Sequence, residues 1–260
     1  MLPNFLIIGA ARSGTTTLYS HLQRHPDVYL PASKRPEPHF FLKSAEYARG
    51  LSYYEDRYFS STGARAAVGE ASTSYLFGSE VPKRIRNCVP NVKLVTMLRN
   101  PIERAFSSYW HTVKSGLEPL SFGEAIAQEP AREAKLAGSE MGEIAPYAYL
   151  ARGFYHLQLV RWLAEFERDQ LMIGIFDDLV SAPRQVLNDV ATFIGVEPAK
   201  LPDREVTVEN KSVPEEARMS RSMWHDLADA LRDDVQELSA LLERDLSYWL
   251  RAESARGIIG

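Results

Sequence analysis

The chain has 260 residues, of which 45% are hydrophobic and 25% charged; this supplies a sizeable core and excludes a sequence too polar to fold. A formal charge of −4 and a pI near 5.9 exclude global attraction to nucleic acid or to an anionic membrane, so any anionic ligand needs a local site. The single cysteine, Cys88, excludes an internal disulfide and points to a reducing cytoplasm.

Phe5 to Ile8 is a continuous apolar run closed by Gly9. It is too short to span a bilayer and lacks the basic prelude of a signal peptide, so it reads as a buried first strand and no integral membrane segment is expected. From Thr15 the spacing turns helical, with Leu18, Leu22 and His25 before Pro26. Ala66 to Glu70, Val92 to Leu98 and Leu171 to Phe176 are further candidate strands, and Pro183 to Ile194 a helix. Strands alternating with helices predict an α/β fold: one domain over residues 1–260, with a mainly parallel central sheet flanked by helices. Between Gly116 and Tyr149 no strand signal appears, and Glu118, Glu124, Glu129, Glu133, Glu140 and Glu143 stand among small residues. Two readings are open there, a mobile lid or a solvated pair of short surface helices. Near the C-terminus, Leu227, Leu231, Val235, Leu238, Leu242, Leu246 and Trp249 fall on one side of a helix and predict core packing.

The first strand runs through Gly9 and four further residues to Gly14, then into the helix. Glycines let such a loop curl, and the amides at the following helix start then point at an anion. Arg12 adds a cation, and Ser13, Thr15, Thr16 and Thr17 add hydroxyl donors. An ordinary strand-to-helix turn has the same glycine spacing. A nucleoside triphosphatase needs lysine straight after the second glycine, where Thr15 stands, and a magnesium-binding acid near a strand end, where Val92 to Leu98 runs into Arg99. No His/Cys cluster has metal-ligand spacing, so no metal is expected.

Arg99-Asn-Pro-Ile-Glu-Arg-Ala-Phe-Ser107 joins an arginine at a strand end to a proline suited to the first turn of a helix. Arg99 offers a planar fork for a phosphate and Ser107 a hydroxyl; taken singly, Arg99 is equally accounted for by a salt bridge to Glu103. Anions at Arg12 and at Arg99 suit a nucleotide phosphorylated at both ends.

At these residues the sequence resembles the sulfotransferases that use 3′-phosphoadenosine 5′-phosphosulfate, above all bacterial members and the heparan sulfate branch. Leu6 to Leu18 looks like the 5′-phosphosulfate loop, and Arg99 to Ser107 like the 3′-phosphate motif. Gly153-Phe-Tyr155, Gln158-Leu159, Trp162, Phe176 to Leu179 and Phe193 to Gly195 are similar to the family's later helix-strand-helix stretch. The resemblance covers most of the chain. It implies a P-loop nucleotide-kinase-like sulfotransferase fold, 3′-phosphoadenosine 5′-phosphosulfate (PAPS) as donor and adenosine 3′,5′-bisphosphate (PAP) as product. Arg12 takes the place where many members carry the lysine that contacts the transferring sulfonate; it stabilises charge but is a poor proton donor.

The resemblance further implies that Glu37, in Glu37-Pro-His-Phe-Phe41, is the catalytic base, with His39 orienting it or joining the proton path. Without the resemblance, Glu37 reads as a loop glutamate balanced by Lys34 and Arg35. Glu70-Ala-Ser-Thr-Ser-Tyr75 resembles a segment in which heparan sulfate members often place lysine at the position of Ala71, a contact Lys34 is the candidate to replace. Glu216 to Ser220 resembles the late loop over the nucleotide's 3′ side, assigning Arg218 and Ser220 to it; Asn210-Lys211 fits the same pattern, without its aromatic cover for adenine. The expected partner is a small-molecule, glycan, lipid or carrier-bound acceptor with a hydroxyl or amine. Modest acidity counts against a heavily anionic polysaccharide. Tyr53, Tyr54, Tyr75, Trp110 and Tyr147 read either as lining an acceptor site or as core. The competing functions are a magnesium-dependent small-molecule kinase and a non-catalytic nucleotide-binding module.

Overall fold

A computed structural model of the chain describes residues 1–31, 37–203, 212–255 and 257–260. In chain order the first elements are β1 (Phe5–Gly9), α1 (Thr15–Leu22), β2 (Val28–Tyr29), α2 (Ser44–Tyr47), α3 (Gly50–Tyr58), β3 (Ala67–Ala71), α4 (Val81–Cys88) and β4 (Lys93–Leu98). There follow α5 (Pro101–Lys114), α6 (Phe122–Leu136), α7 (Glu140–Ile144), α8 (Tyr155–Leu163), β5 (Leu171–Ile175), α9 (Phe176–Ser181), α10 (Pro183–Ile194) and α11 (Arg221–Leu241). The chain divides into two compact units, Met1–Leu98 with Arg161–Asn210 and Arg99–Val160 with Lys211–Gly260.

The first unit is built on a five-stranded sheet in the order β2-β3-β1-β4-β5. Every pairing is parallel, with Phe5 opposite Gly69 on one side and Lys93 on the other. Parallel strands covered on both faces read as near-continuous apolar runs, which is why Phe5 to Ile8 and, broken only by Thr96, Leu94 to Leu98 announce themselves in the sequence. Phe5, Ile7, Val95 and Met97 share a core with Leu18 and Leu22 of α1, Leu179 of α9, and Leu187 and Val190 of α10. Each such side chain contributes roughly 1.5–3 kcal/mol on burial. Gly69 is required beneath Phe5, because a Cβ there would lie 2.5 Å from the ring. Leu6, Ile8 and Leu94, which alternate to the other face, are equally buried. Glu70 lies in that second set, opposite Leu6, and is buried too.

In the second unit α5 starts with Pro101 in its first turn, and Asn100 caps it by accepting from the amides of Ile102 at 3.0 Å and Glu103 at 3.3 Å. The Asn100 amide in turn donates to the Trp249 carbonyl at 2.7 Å. The stretch Gly116 to Tyr149 forms α6, opened by a capping box between Ser121 and Glu124, and α7. The helical reading of this stretch therefore holds, but not its wholly solvated character. Glu118 is buried and receives Arg132 at 2.6 and 2.9 Å and the Tyr149 hydroxyl at 2.7 Å. Glu129, on α6, is buried and accepts from the amides of Leu150 at 2.7 Å and Ala151 at 2.8 Å. The C-terminal stripe is core as expected except at Leu242, which is half-buried, and the helix ends at Leu241; Leu246, just before a turn of 3₁₀ helix, and Trp249 within it are buried. Among the described residues no helix is long and apolar enough to cross a membrane.

Candidate functional site

The loop after β1 is shaped by two glycines and one arginine. At Gly9 a side chain would stand 2.7 Å from Leu76 Cβ and 3.1 Å from the Thr73 carbonyl, so the backbone there presses against the chain beyond β3. Gly14 has φ +85° and caps α1, and a Cβ on it would meet Leu179 at 2.6 Å and Phe176 at 3.0 Å. Only glycine satisfies both the left-handed backbone and the close approach. Arg12 is also left-handed, at φ 71°, and half-buried. The first amides of a helix have no carbonyl a turn behind them, and Gly14, which caps α1, offers no side chain to serve them.

The loop's side chains follow the same logic. Ser13 is completely buried, and its hydroxyl has no hydrogen-bond partner among the described residues. A buried hydroxyl without a partner costs roughly 1–3 kcal/mol, which an oxygen-rich ligand would offset. Thr15 and Thr17 are buried and Thr16 half-buried. Amides, a cation and an unsatisfied hydroxyl on one short turn fit an anion.

Glu37 stands next to this loop. Its carboxylate accepts from the Thr73 amide at 2.8 Å and from the Thr73 hydroxyl at 3.0 and 3.1 Å, while the Thr73 carbonyl faces Gly9. The side chain of Glu37 keeps 17% exposure, enough for a reacting group to reach it. The ring Nε2 of His39 lies 3.6 Å from Glu37 Oε2. Glu37 is thus not a solvated loop glutamate. Lys34 and Arg35, its sequence-based counter-charges, lie outside the described residues, as do Asn210 and Lys211.

The segment carrying Glu37 and His39 is moored at several points. The His39 amide donates to Ser72 Oγ at 2.9 Å, and the Phe41 amide to the Tyr75 hydroxyl at 3.2 Å. Arg84 holds the carbonyls of Phe41 and Leu42, each at 3.1 Å. Beneath lies Glu70, which accepts from the Tyr54 hydroxyl at 3.0 Å and the Ser72 hydroxyl at 2.9 Å. Burial pushes its carboxyl up to about 7, with the Glu37 charge adding to the rise and the Ser72, Tyr75 and Tyr54 hydroxyls opposing it. Sequence reasoning gave Thr73, Ser72 and Glu70 no role. The available signal was a run of hydroxyl residues directly after a strand. Tyr54 and Tyr75, candidate lining residues, are fully buried members of this core.

In the second unit Arg99 donates through Nε at 3.1 Å and Nη2 at 2.8 Å to Oε2 of Glu103. The salt bridge weighed from sequence therefore forms, and a phosphate arriving there shares or displaces a carboxylate. Ser107 lies one turn beyond Glu103 on α5 and is buried. Arg218 gives its Nη1 to the carbonyls of Glu215 at 2.5 Å and Ala217 at 2.9 Å. Ser220 caps α11, accepting from the Met223 amide at 3.1 Å. Among the described residues no three His, Cys, Asp or Glu side chains are grouped to hold a metal ion.

Residues 2–242 match the family model described as the sulfotransferase domain. This chain belongs to the sulfotransferase domain family. The bifunctional heparan sulfate N-deacetylase/N-sulfotransferase 4 of Mus musculus is 33% identical over 204 residues, which are 76% of this chain and 23% of that protein. The human N-deacetylase/N-sulfotransferase 3 matches with the same identity and coverage. The sulfotransferase domain described here thus aligns with about a quarter of these larger proteins. Among solved structures, a sulfotransferase from Alicyclobacillus acidocaldarius superposes with a TM-score of 0.81 at 33% identity, covering 96% of this chain and 100% of that one. The sulfotransferase domain of the curacin biosynthetic pathway, at 17% identity and a TM-score of 0.52, shares the fold.

Proposed function

We propose that this sulfotransferase domain takes PAPS as donor and moves its sulfonate in line to a hydroxyl or amine. The acceptor oxygen or nitrogen forms a bond to sulfur as the bond from sulfur to the bridging oxygen of the 5′-phosphate breaks. That oxygen keeps the electron pair and leaves on PAP, while the acceptor's proton passes to Glu37. Arg12, Ser13, Gly14, Thr15, Thr16 and Thr17 hold the 5′-phosphosulfate, and the charge developing on its oxygens is met by loop amides and the Arg12 guanidinium. Arg99 and Ser107 are assigned the 3′-phosphate, and Arg218 and Ser220 the same side of the nucleotide, on the strength of the family resemblance. His39 orients Glu37 or receives the proton after it. The whole of 1–260 is read as one sulfotransferase domain acting in the cytoplasm, and no metal is required in this scheme.

The observation that carries the reading is Thr73, which holds the Glu37 carboxylate with two groups while its carbonyl packs against Gly9. A base on one side of the loop and an unsatisfied hydroxyl within it are what a transfer between donor and acceptor needs. For the acceptor, the names of the relatives favour a glycan amine or hydroxyl, and the acidity of this chain favours a neutral or small one. The test is transfer of ³⁵S from labelled PAPS to a panel containing N-deacetylated heparosan, neutral oligosaccharides, a glycolipid and a hydroxyacyl carrier. Labelled product from wild type and none from Glu37→Gln, at unchanged PAP affinity, is the expected result. ATP consumption that requires magnesium, without sulfonate transfer, would establish a kinase instead. PAP binding with neither activity would establish a binding module.

A further inference from the structure

The sheet in the first unit buries one ionisable side chain that the proposed reaction does not use. Glu70 lies opposite Leu6 on β1, fully enclosed, and among the described residues no cation forms an ion pair with it. Burial of a carboxyl group without a cation is costly, and here three hydroxyls surround it instead. Their arrangement is directional. The Ser72 hydroxyl has one proton, given to Glu70 Oε2 at 2.9 Å, so its lone pairs face the other way and accept the His39 amide at 2.9 Å. Tyr54 gives its proton to the second oxygen, Oε1, at 3.0 Å. An ionised carboxylate meets both donors, one on each oxygen.

The amide served by this relay belongs to a residue in an unusual state. His39 has φ 48°, a left-handed conformation that costs an ordinary residue roughly 1–2 kcal/mol and persists where its surroundings fix it. Its carbonyl accepts from the amides of Leu42 at 3.0 Å and Lys43 at 2.9 Å, closing a turn, and its amide goes to Ser72. The direction in which His39 projects its ring toward Glu37 is set by that backbone state.

Resting on the reading of Glu37 as base, we propose that Glu70 is a positioning residue for the proposed proton-accepting pair. It acts through Ser72 to hold His39 in its left-handed turn and so to fix the His39 ring against Glu37. The ionised form does this. A protonated Glu70 carries a donor of its own, and when it donates to Ser72 Oγ the Ser72 proton must turn elsewhere, which loosens the hold of Ser72 on the His39 amide. The groups facing Glu70 are Tyr54 and Tyr58 on α3, Tyr19 on α1, Ser72 and Tyr75 beyond β3, and Glu37. Of these, the tyrosines stay protonated at neutral pH, because burial raises them all. Glu37 and the His39 ring are the other titratable groups beside the relay, and Glu70→Gln separates a pH dependence that arises at Glu70 from one that arises at either of them.

The test is amide hydrogen exchange on the whole chain saturated with PAP, followed from pH 6 to pH 8, in wild type, Glu70→Gln and Ser72→Ala. Expected in wild type is a protection factor at His39 that rises about tenfold as Glu70 ionises. In Glu70→Gln the amide offers one acceptor in place of two, and the rise should vanish while Leu6 and Val95 keep their protection. Ser72→Ala should show the same local loss and covers the case in which Glu70→Gln does not fold. In both variants kcat with the acceptor labelled in the panel should fall about tenfold, with the Kd for PAP within twofold. His39 protection that is the same in wild type and both variants, or a kcat that stays at the wild-type level when protection is lost, would overturn the proposal. Neither outcome touches the role of Glu37, whose failure would appear separately as retained turnover in Glu37→Gln.

Discussion

Two buried glutamates, one in each unit, show how little burial alone decides. Glu118 at the start of the α6 region and Glu70 on β3 are both enclosed. Burial pushes both carboxyls upward, but at Glu118 the bonds from Arg132, Tyr149 and the Leu120 amide outweigh it and hold the carboxyl below its ordinary value. At Glu70 only hydroxyls oppose burial, and the carboxyl ends near 7. The first is a fixed charge that fastens the chain around α6 in its unit. The second can change state near neutral pH, and it lies under the segment that carries the proposed base. What separates a structural carboxylate from a responsive one is the partner and not the depth.

The largest expected effect extends the contrast to Glu37, the half-buried carboxylate whose charge acts on Glu70. Glu37→Gln should lower kcat by about 10²–10⁴-fold, the usual worth of a general base, measured by ³⁵S transfer. Glu118→Gln should lower stability but leave kcat per folded molecule near wild type; a catalytic loss there would break the distinction between the two regions. Next in size, Arg132→Met leaves Glu118 enclosed without its cation and should cost about 2–3 kcal/mol in urea unfolding at pH 7, less than a fully buried pair because Arg132 is partly exposed. That loss should shrink as the pH falls and Glu118 becomes protonated in the variant.

Glu70 should give a pH dependence of opposite sign. Its folded value lies above its ordinary 4.5, so between that value and about 7 the folded chain binds more protons than the unfolded one, and stability falls as pH rises. The span corresponds to at most about 3 kcal/mol, present as a penalty above pH 7. Unfolding curves at pH 5 and pH 8 should show wild type losing more stability than Glu70→Gln; equal losses would mean that Glu70 stays ionised throughout. The smallest effects come from paired deletions of one hydroxyl. Tyr149→Phe and Tyr54→Phe should each cost about 1 kcal/mol, the second more at pH 8 than at pH 5, because the ionised carboxylate loses the stronger bond.

Much of the architecture was legible. A continuous apolar run marked β1, the candidate strands at 66–70, 92–98 and 171–176 fell within a residue or two of β3, β4 and β5, and prolines marked the starts of α5 and α10. The strand β2 was not legible, because two residues carry no periodicity. The C-terminal stripe kept its spacing after α11 ended, since Glu243 at φ 51° turns the chain and Leu246 and Trp249 still fall inward. Within the site, the loop and Glu37 could be read as separate segments, but the hold of Thr73 on Glu37 joins positions far apart in sequence. Ala66 to Glu70 looked like a strand ending in a polar residue. The strand instead runs to Ala71, and the register that sets Glu70 opposite Leu6 places it inside.

The contact of Gly14 with Phe176 and Leu179 has a consequence for redesign. The curl of the loop is shaped from below by a helix encoded far downstream, so the two stretches form one mould and its cast. Lengthening a side chain at 176 or 179 pushes on the start of α1 as directly as a change within the loop itself. Libraries that aim to alter donor recognition should therefore vary the loop together with α9, since a sequence selected in one without the other inherits a shape it did not choose.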